Sequence, residues 1–165
     1  VSLDTDDFIE LYLERGELYE QDGVLYGPNP NDLFIGDPRS VNGYGCYAPV
    51  IQRALTRCLP QGYEVINETG KELSKLAETY LPEGIPLTIW VTIEMQEPAE
   101  GTQWIDESTG ELAREHCVVL AGYDSENYYV NDPLDSEGVV SYPRELVESR
   151  FKQLGSQALA VVPSA

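Results

Sequence analysis

Apolar side chains in this chain recur with a helical period in four stretches and with a strand-like character mainly after Pro86. Residues 4–14, DTDDFIELYLE, predict a first helix. Asp4 or Thr5 can cap it, acids fill its first turn, and Phe8, Ile9, Leu11, Tyr12 and Leu13 are its apolar positions, with Gly16 closing it. Residues 47–58, YAPVIQRALTRC, predict a second, with Pro49 in its first turn and Val50, Ile51, Ala54, Leu55 and Cys58 on one face. Residues 70–81 give a third, with Leu73, Leu76, Ala77, Tyr80 and Leu81 inward, and residues 143–154 a fourth. Between the first two helices, residues 17–45 are rich in Gly, Pro, Asn and Asp. Aromatic residues recur there, so the segment reads as a long ordered loop and not as a linker.

Strands are predicted at residues 63–67, 87–94, 116–123, 128–131 and 158–162. Residues 103–107 followed by Ser108-Thr109-Gly110 suggest a hairpin. Helices first and an antiparallel sheet afterwards indicate an α+β fold. No repeat or low-complexity tract interrupts the chain, and its 165 residues fit one domain, 1–165.

Charge narrows the partners. The net charge is −19, from 29 acidic and 10 basic residues, a surface that repels nucleic acid and anionic membranes. No apolar run reaches the roughly 18 residues of a membrane span, and Val1-Ser2-Leu3-Asp4 shows neither the basic region nor the apolar core of a signal peptide. Three cysteines, Cys46, Cys58 and Cys117, are an odd count that argues against a disulfide framework. One histidine and no Cys-x-x-Cys argue against structural zinc, and no cofactor is called for. Asp132, Asp135 and Glu137 could hold calcium, but read better as a solvated loop.

The lone histidine carries the candidate chemistry. His116 opens an apolar strand, and Val130-Asn131-Asp132-Pro133 closes the next. Pairing of the two strands brings the start of one beside the end of the other, and so places Asp132 or Asn131 near the His116 ring. A carboxylate there fixes the tautomer and stabilises the imidazolium, as in the base and orienter of a nucleophilic triad. The plain alternative is a structural histidine beside an Asn-Asp-Pro turn. Cys46, in Gly43-Tyr44-Gly45-Cys46 ahead of the second helix, is either a thiolate favoured by the helix terminus or a small buried residue. Cys117 points away from His116 by strand alternation, and Cys58 belongs to the apolar face of its helix.

The segments Gly36-Asp37-Pro38-Arg39-Ser40, Gly43 through Ile51, Ile89-Trp90-Val91-Thr92, His116 through Asp124, Val130-Asn131-Asp132-Pro133 and Gln157-Ala158 together resemble the bacteriocin-processing group of papain-like cysteine peptidases, the C39-like family. The resemblance implies a papain-like fold and a peptide or protein substrate cleaved by acyl transfer to a thiol. It matches His116 to the family base and Asp132 to the family orienter. It implies an extracellular or envelope location in a Gram-positive bacterium. The family's Gly-Cys-Glu or Glu-Cys-Glu nucleophile segment and its oxyanion glutamine have no match here, so the nucleophile is expected upstream of residue 1. A chain lacking that helix would leave an apolar groove for a helix of another chain, as in a homo-oligomer, or of the missing segment to cover. Two other readings stay open: a non-catalytic papain-fold module binding a peptide or cell-wall component, and an enzyme using Cys46 with His116 and Asp132.

Overall fold

The computed structural model describes residues 4–40, 43–98, 104–107, 112–113, 116–135 and 138–164. They fall into two compact units, Val1–Gly62 with Ala99–Glu115, and Tyr63–Pro98 with His116–Ala165. In chain order the first unit contributes α1 (Thr5–Asp7), β1 (Arg15–Gly16), β2 (Tyr19–Gln21), β3 (Val24–Gly27), β4 (Phe34–Gly36), β5 (Gly43–Gly45) and α2 (Ala48–Cys58). The second unit begins with β6 (Tyr63–Asn67), α3 (Leu73–Tyr80) and β7 (Leu87–Trp90). The chain returns to the first for β8 (Trp104–Asp106) and β9 (Leu112–Ala113). It then completes the second with β10 (Cys117–Tyr123), β11 (Asn127–Asn131), β12 (Val139–Pro143), α4 (Arg144–Gln153) and β13 (Ala158–Pro163). The α+β architecture expected from sequence is thus present.

In the first unit Asp4 is the cap. Its carboxylate accepts from the N–H of Asp6 at 2.8 Å and of Asp7 at 3.3 Å. From Phe8 to Tyr12 the helix widens, with the Leu13 N–H reaching the Phe8 carbonyl five residues back at 3.1 Å. Ile9 and Leu13 are four residues apart and share a face; they pack with Cys46 and Val50. The stretch expected as loop instead holds β2 to β5. These strands are three or four residues long, too short for alternation to declare itself. One signal was available: Asp22-Gly23 joins β2 to β3 with both residues at positive φ, 54° and 77°, as a two-residue hairpin turn requires. Gly16 in β1 answers to a close approach, since a Cβ there would lie 2.7 Å from Pro28 Cγ and 2.9 Å from Leu33 Cδ1. β8 and β9 pair antiparallel, as the predicted hairpin requires; its turn at 108–110 and Gln103 lie outside the described residues.

The second unit carries one six-stranded sheet, ordered β12-β11-β10-β7-β13-β6, antiparallel throughout. Residues of period two, Leu87 and Ile89, Val118 and Leu120, Tyr128 and Val130, Ala158 and Ala160, form its inner face. Leu73, Leu76 and Ala77 of α3 and Val147 and Phe151 of α4 complete that core. The strand expected over 87–94 stops at Trp90 and is followed by a tight turn, Ile93–Met95, in which Glu94 and Met95 take positive φ. Residues 139–143, β12, were not singled out from sequence. Only Val140 and Tyr142 face inward along that strand, which is too brief an alternation to mark it.

Glu68 is buried beside this core. Its carboxylate accepts from the Tyr80 hydroxyl and pairs with the Lys71 ammonium. Burial alone would raise its pKa, but those two partners outweigh it and hold the group below its ordinary 4.5, while burial and Glu68 push Tyr80 up to about 12. A depressed carboxylate contributes stability above its unfolded pKa and loses it as pH falls through the folded value. Glu68→Gln is therefore expected to lower stability at pH 7 by about 1–2 kcal/mol, with the difference from wild type shrinking below pH 4.5. Urea unfolding across pH measures it; a deficit that does not vary with pH would contradict it.

Candidate functional site

Strand register brings His116 and Asp132 together. Val119 of β10 pairs with Asn131 of β11, so Asp132 falls level with Val118, and His116 is its diagonal neighbour on the same face. The parity of the pleat makes the choice that sequence left open. Asn131 is exposed on the outer face with Val119, whereas Asp132 turns inward. Both site residues are buried, His116 at 7% exposure and Asp132 at 5%.

The His116 Nε2–H donates to both carboxylate oxygens of Asp132, at 2.9 and 3.0 Å. An ionised carboxylate only accepts, so the proton belongs on Nε2, and the Nδ1 lone pair is the one available for proton transfer. The carboxylate is itself held. Asp132 Oδ1 accepts from the Leu134 N–H at 2.9 Å, and the Asp132 carbonyl accepts from the Asp135 N–H at 3.1 Å. On the other side, the His116 carbonyl accepts from the Val91 N–H at 2.9 Å, which ties the residue to the end of β7. Thus the imidazole hangs between two strands of the sheet, with its orienting partner braced by the turn that follows β11.

The surroundings are negative. Burial first, then the charges of Asp132, Asp135 and Glu94, push the Tyr142 phenol above its ordinary range. Among the described residues no three His, Cys, Asp or Glu side chains gather as metal ligands. Of the calcium candidates, Asp132 is engaged by His116 and Leu134, and Glu137 lies outside the described residues.

The three thiols are in no disulfide. Cys46 is 3% exposed in the first unit, packed with Ile9, Leu13 and Val50 two residues before α2. Cys58 ends α2, where burial pushes its thiol up and its Sγ–H donates to the Leu55 carbonyl at 3.5 Å. Cys117 is half-buried and alternates with the buried Val118, so it faces away from His116. Sequence reasoning overlooked Arg150, a buried guanidinium on α4 that grips the turn after β7. An arginine inside an amphipathic helix gives no sign from sequence of which face it takes.

The model of the family described as Peptidase_C39 like matches residues 11–159. The uncharacterised protein YvpB of Bacillus subtilis (strain 168) is 32% identical over 137 residues, which is 81% of this chain and 52% of that protein. The chain therefore spans about half the length of this curated relative. A crystal structure from Bacillus anthracis, described as a candidate C39-like peptidase, superposes with a TM-score of 0.81 at 30% identity, over 100% of this chain and 82% of that one. The C39-like fold anticipated from the sequence motifs is the fold found. Among the described residues no helix is long and apolar enough to cross a membrane.

Proposed function

We propose, for a chain that belongs to the Peptidase_C39 like family, that this domain serves thiol-dependent peptide hydrolysis with His116 as base and Asp132 as orienter. The observation that carries this reading is the contact of His116 Nε2 with both Asp132 oxygens, at 2.9 and 3.0 Å between two buried side chains. It leaves Nδ1 as the acceptor that a base needs.

In this reading a cysteine Sγ–H gives its proton to His116 Nδ1 and the sulfur attacks the peptide carbonyl carbon. The resulting imidazolium is stabilised by Asp132 and returns the proton to the leaving amine as the C–N bond breaks. Water then loses a proton to Nδ1 and attacks the thioester, releasing the acid and restoring the thiol. Cys46 is enclosed in a core, burial raises the Cys58 thiol at the end of α2, and Cys117 faces away. As the family resemblance implies, the attacking thiol of this reading belongs to a cysteine upstream of residue 1.

The test is hydrolysis of an internally quenched peptide library by the full-length protein and its His116→Ala variant. Loss of the general base is expected to lower kcat/KM by about 10²–10⁴-fold. Equal rates for the two proteins would remove His116 from the chemistry. Undiminished hydrolysis after replacing every cysteine outside 1–165 would return the nucleophile to this chain.

A further inference from the structure

The turn after β7 is an unusual place for a buried cation to be spent. Arg150 of α4 is 7% exposed, and its three guanidinium nitrogens reach three different groups. Nε donates to the Met95 carbonyl at 2.9 Å, Nη1 to Gln153 Oε1 at 3.1 Å, and Nη2 pairs with Glu97 at 2.8 Å. Gln153 Nε2 closes the ring by donating to Glu97 at 3.4 Å.

What Arg150 grips is a backbone in a conformation costly for non-glycine residues. Glu94 and Met95 are consecutive non-glycine residues with φ of 50° and 55°. Such residues persist only where their surroundings over-determine them. Local bonds supply part of that: Thr92 Oγ1 donates to the Gln96 carbonyl at 2.6 Å, and the Met95 N–H to the Thr92 carbonyl at 3.0 Å. The Met95 side chain is buried in the core that α4 shares. The Arg150 fork adds the long-range anchor, fifty-five residues away in sequence.

The gripped segment is joined to the candidate site through the residue that precedes it. Val91, one position before Thr92, donates its N–H to the His116 carbonyl at 2.9 Å, and Trp90 pairs with Cys117. In the middle of the turn, the charge of Glu94 bears on the same Tyr142 phenol as that of Asp132 does. A turn that relaxed would move the strand end on which the His116 backbone hangs. We propose that Arg150 is a positioning residue: it locks the turn of residues 92–97, in which Glu94 and Met95 are left-handed, and through Val91 fixes His116 for proton transfer. The inference rests on the function proposed above. Arginine suits the role and lysine does not, because only a planar fork reaches the carbonyl, the amide and the carboxylate at once.

Four full-length proteins test it: Arg150→Met, Arg150→Lys, His116→Ala, and Lys152→Met as an exposed control on the same helix. Each is assayed on the quenched peptide library and by NMR of the amides of 92–97 and the ring nitrogens of His116. Arg150→Met is expected to keep its secondary structure, shift the amides of 92–97 and the His116 ring signals, and lower kcat/KM by about 10–100-fold through kcat. Arg150→Lys is expected to fall between it and wild type, and Lys152→Met to match wild type. If Arg150→Met is less stable yet, while folded, keeps wild-type ring signals and kcat, Arg150 is structural only and the proposal is overturned. If His116→Ala hydrolyses like wild type, the function itself is wrong and the positioning role falls with it.

Discussion

Asp132→Asn is expected to leave the sheet intact and to lower kcat/KM of the full-length protein by about 10³–10⁴-fold. The substitution is nearly isosteric, and the asparagine oxygen can still accept from the Leu134 N–H that Asp132 Oδ1 holds at 2.9 Å. Two things change. The amide carries no charge to stabilise an imidazolium, and its NH2 can donate to Nε2. Donation there selects the tautomer with the proton on Nδ1, where a base must have none. The loss is therefore one of kcat, with KM little affected, because the side chain is buried behind the imidazole at 5% exposure. Nitrogen chemical shifts of the neutral ring report the tautomer independently of activity. A variant with full activity and an unchanged tautomer would show that the carboxylate only supports the turn after β11.

Ile89→Ala is expected to lower the stability of the second unit by about 2–5 kcal/mol, the range for deleting a large aliphatic side chain from a core. Ile89 is fully buried in β7, where it pairs with Val118 on one side and Ala158 on the other. It thus occupies the middle of the six-stranded sheet, with no edge toward which the void could collapse. Its inner-face neighbour Val118 holds the same face as His116, so the cavity would open next to the site. Val119→Thr is the matched control, on the outer face at 36% exposure, expected within about 0.5 kcal/mol of wild type. Chemical denaturation of both checks the contrast. A cost for Ile89→Ala no greater than for the control would mean that the inner face is not the core of this unit.

These two effects lie close together because the same strands build both the core and the site. The alternation that buries Val118 and Leu120 also turns His116 inward, and that which buries Tyr128 and Val130 does the same for Asp132. A one-residue slip of β11 would present Asn131 to the ring instead, and would expose Val130. The stability of the sheet is thus also the specification of the imidazole's partner.

Much of this was legible in the residues themselves. The period of α2, α3 and α4 and the apolar strands β7, β10 and β13 depend on local pattern, and local pattern is written along the chain. So was the meeting of His116 with the end of the next strand, since a short turn at 124–126 leaves two strands little choice but to pair. What sequence could not decide was which of Asn131 and Asp132 faces the ring; the register of β10 on β11 decides that, because one position changes the face. Beyond the Asp22-Gly23 turn that announces β2 and β3, it could not show the strands of 17–45, each three or four residues long, nor the distant pairing that sets Tyr26 opposite Ile105. The left-handed turn at Glu94 and Met95 has no glycine to announce it, and the arginine that grips it comes from a helix fifty-five residues on. The sequence by itself determined the helices, the apolar strands and the His116–Asp132 neighbourhood, because those follow from periodicity and short connections. Only the tertiary structure decided pleat parity, strained backbone and the long-range clamp, because each depends on groups that meet in space without being near in the chain.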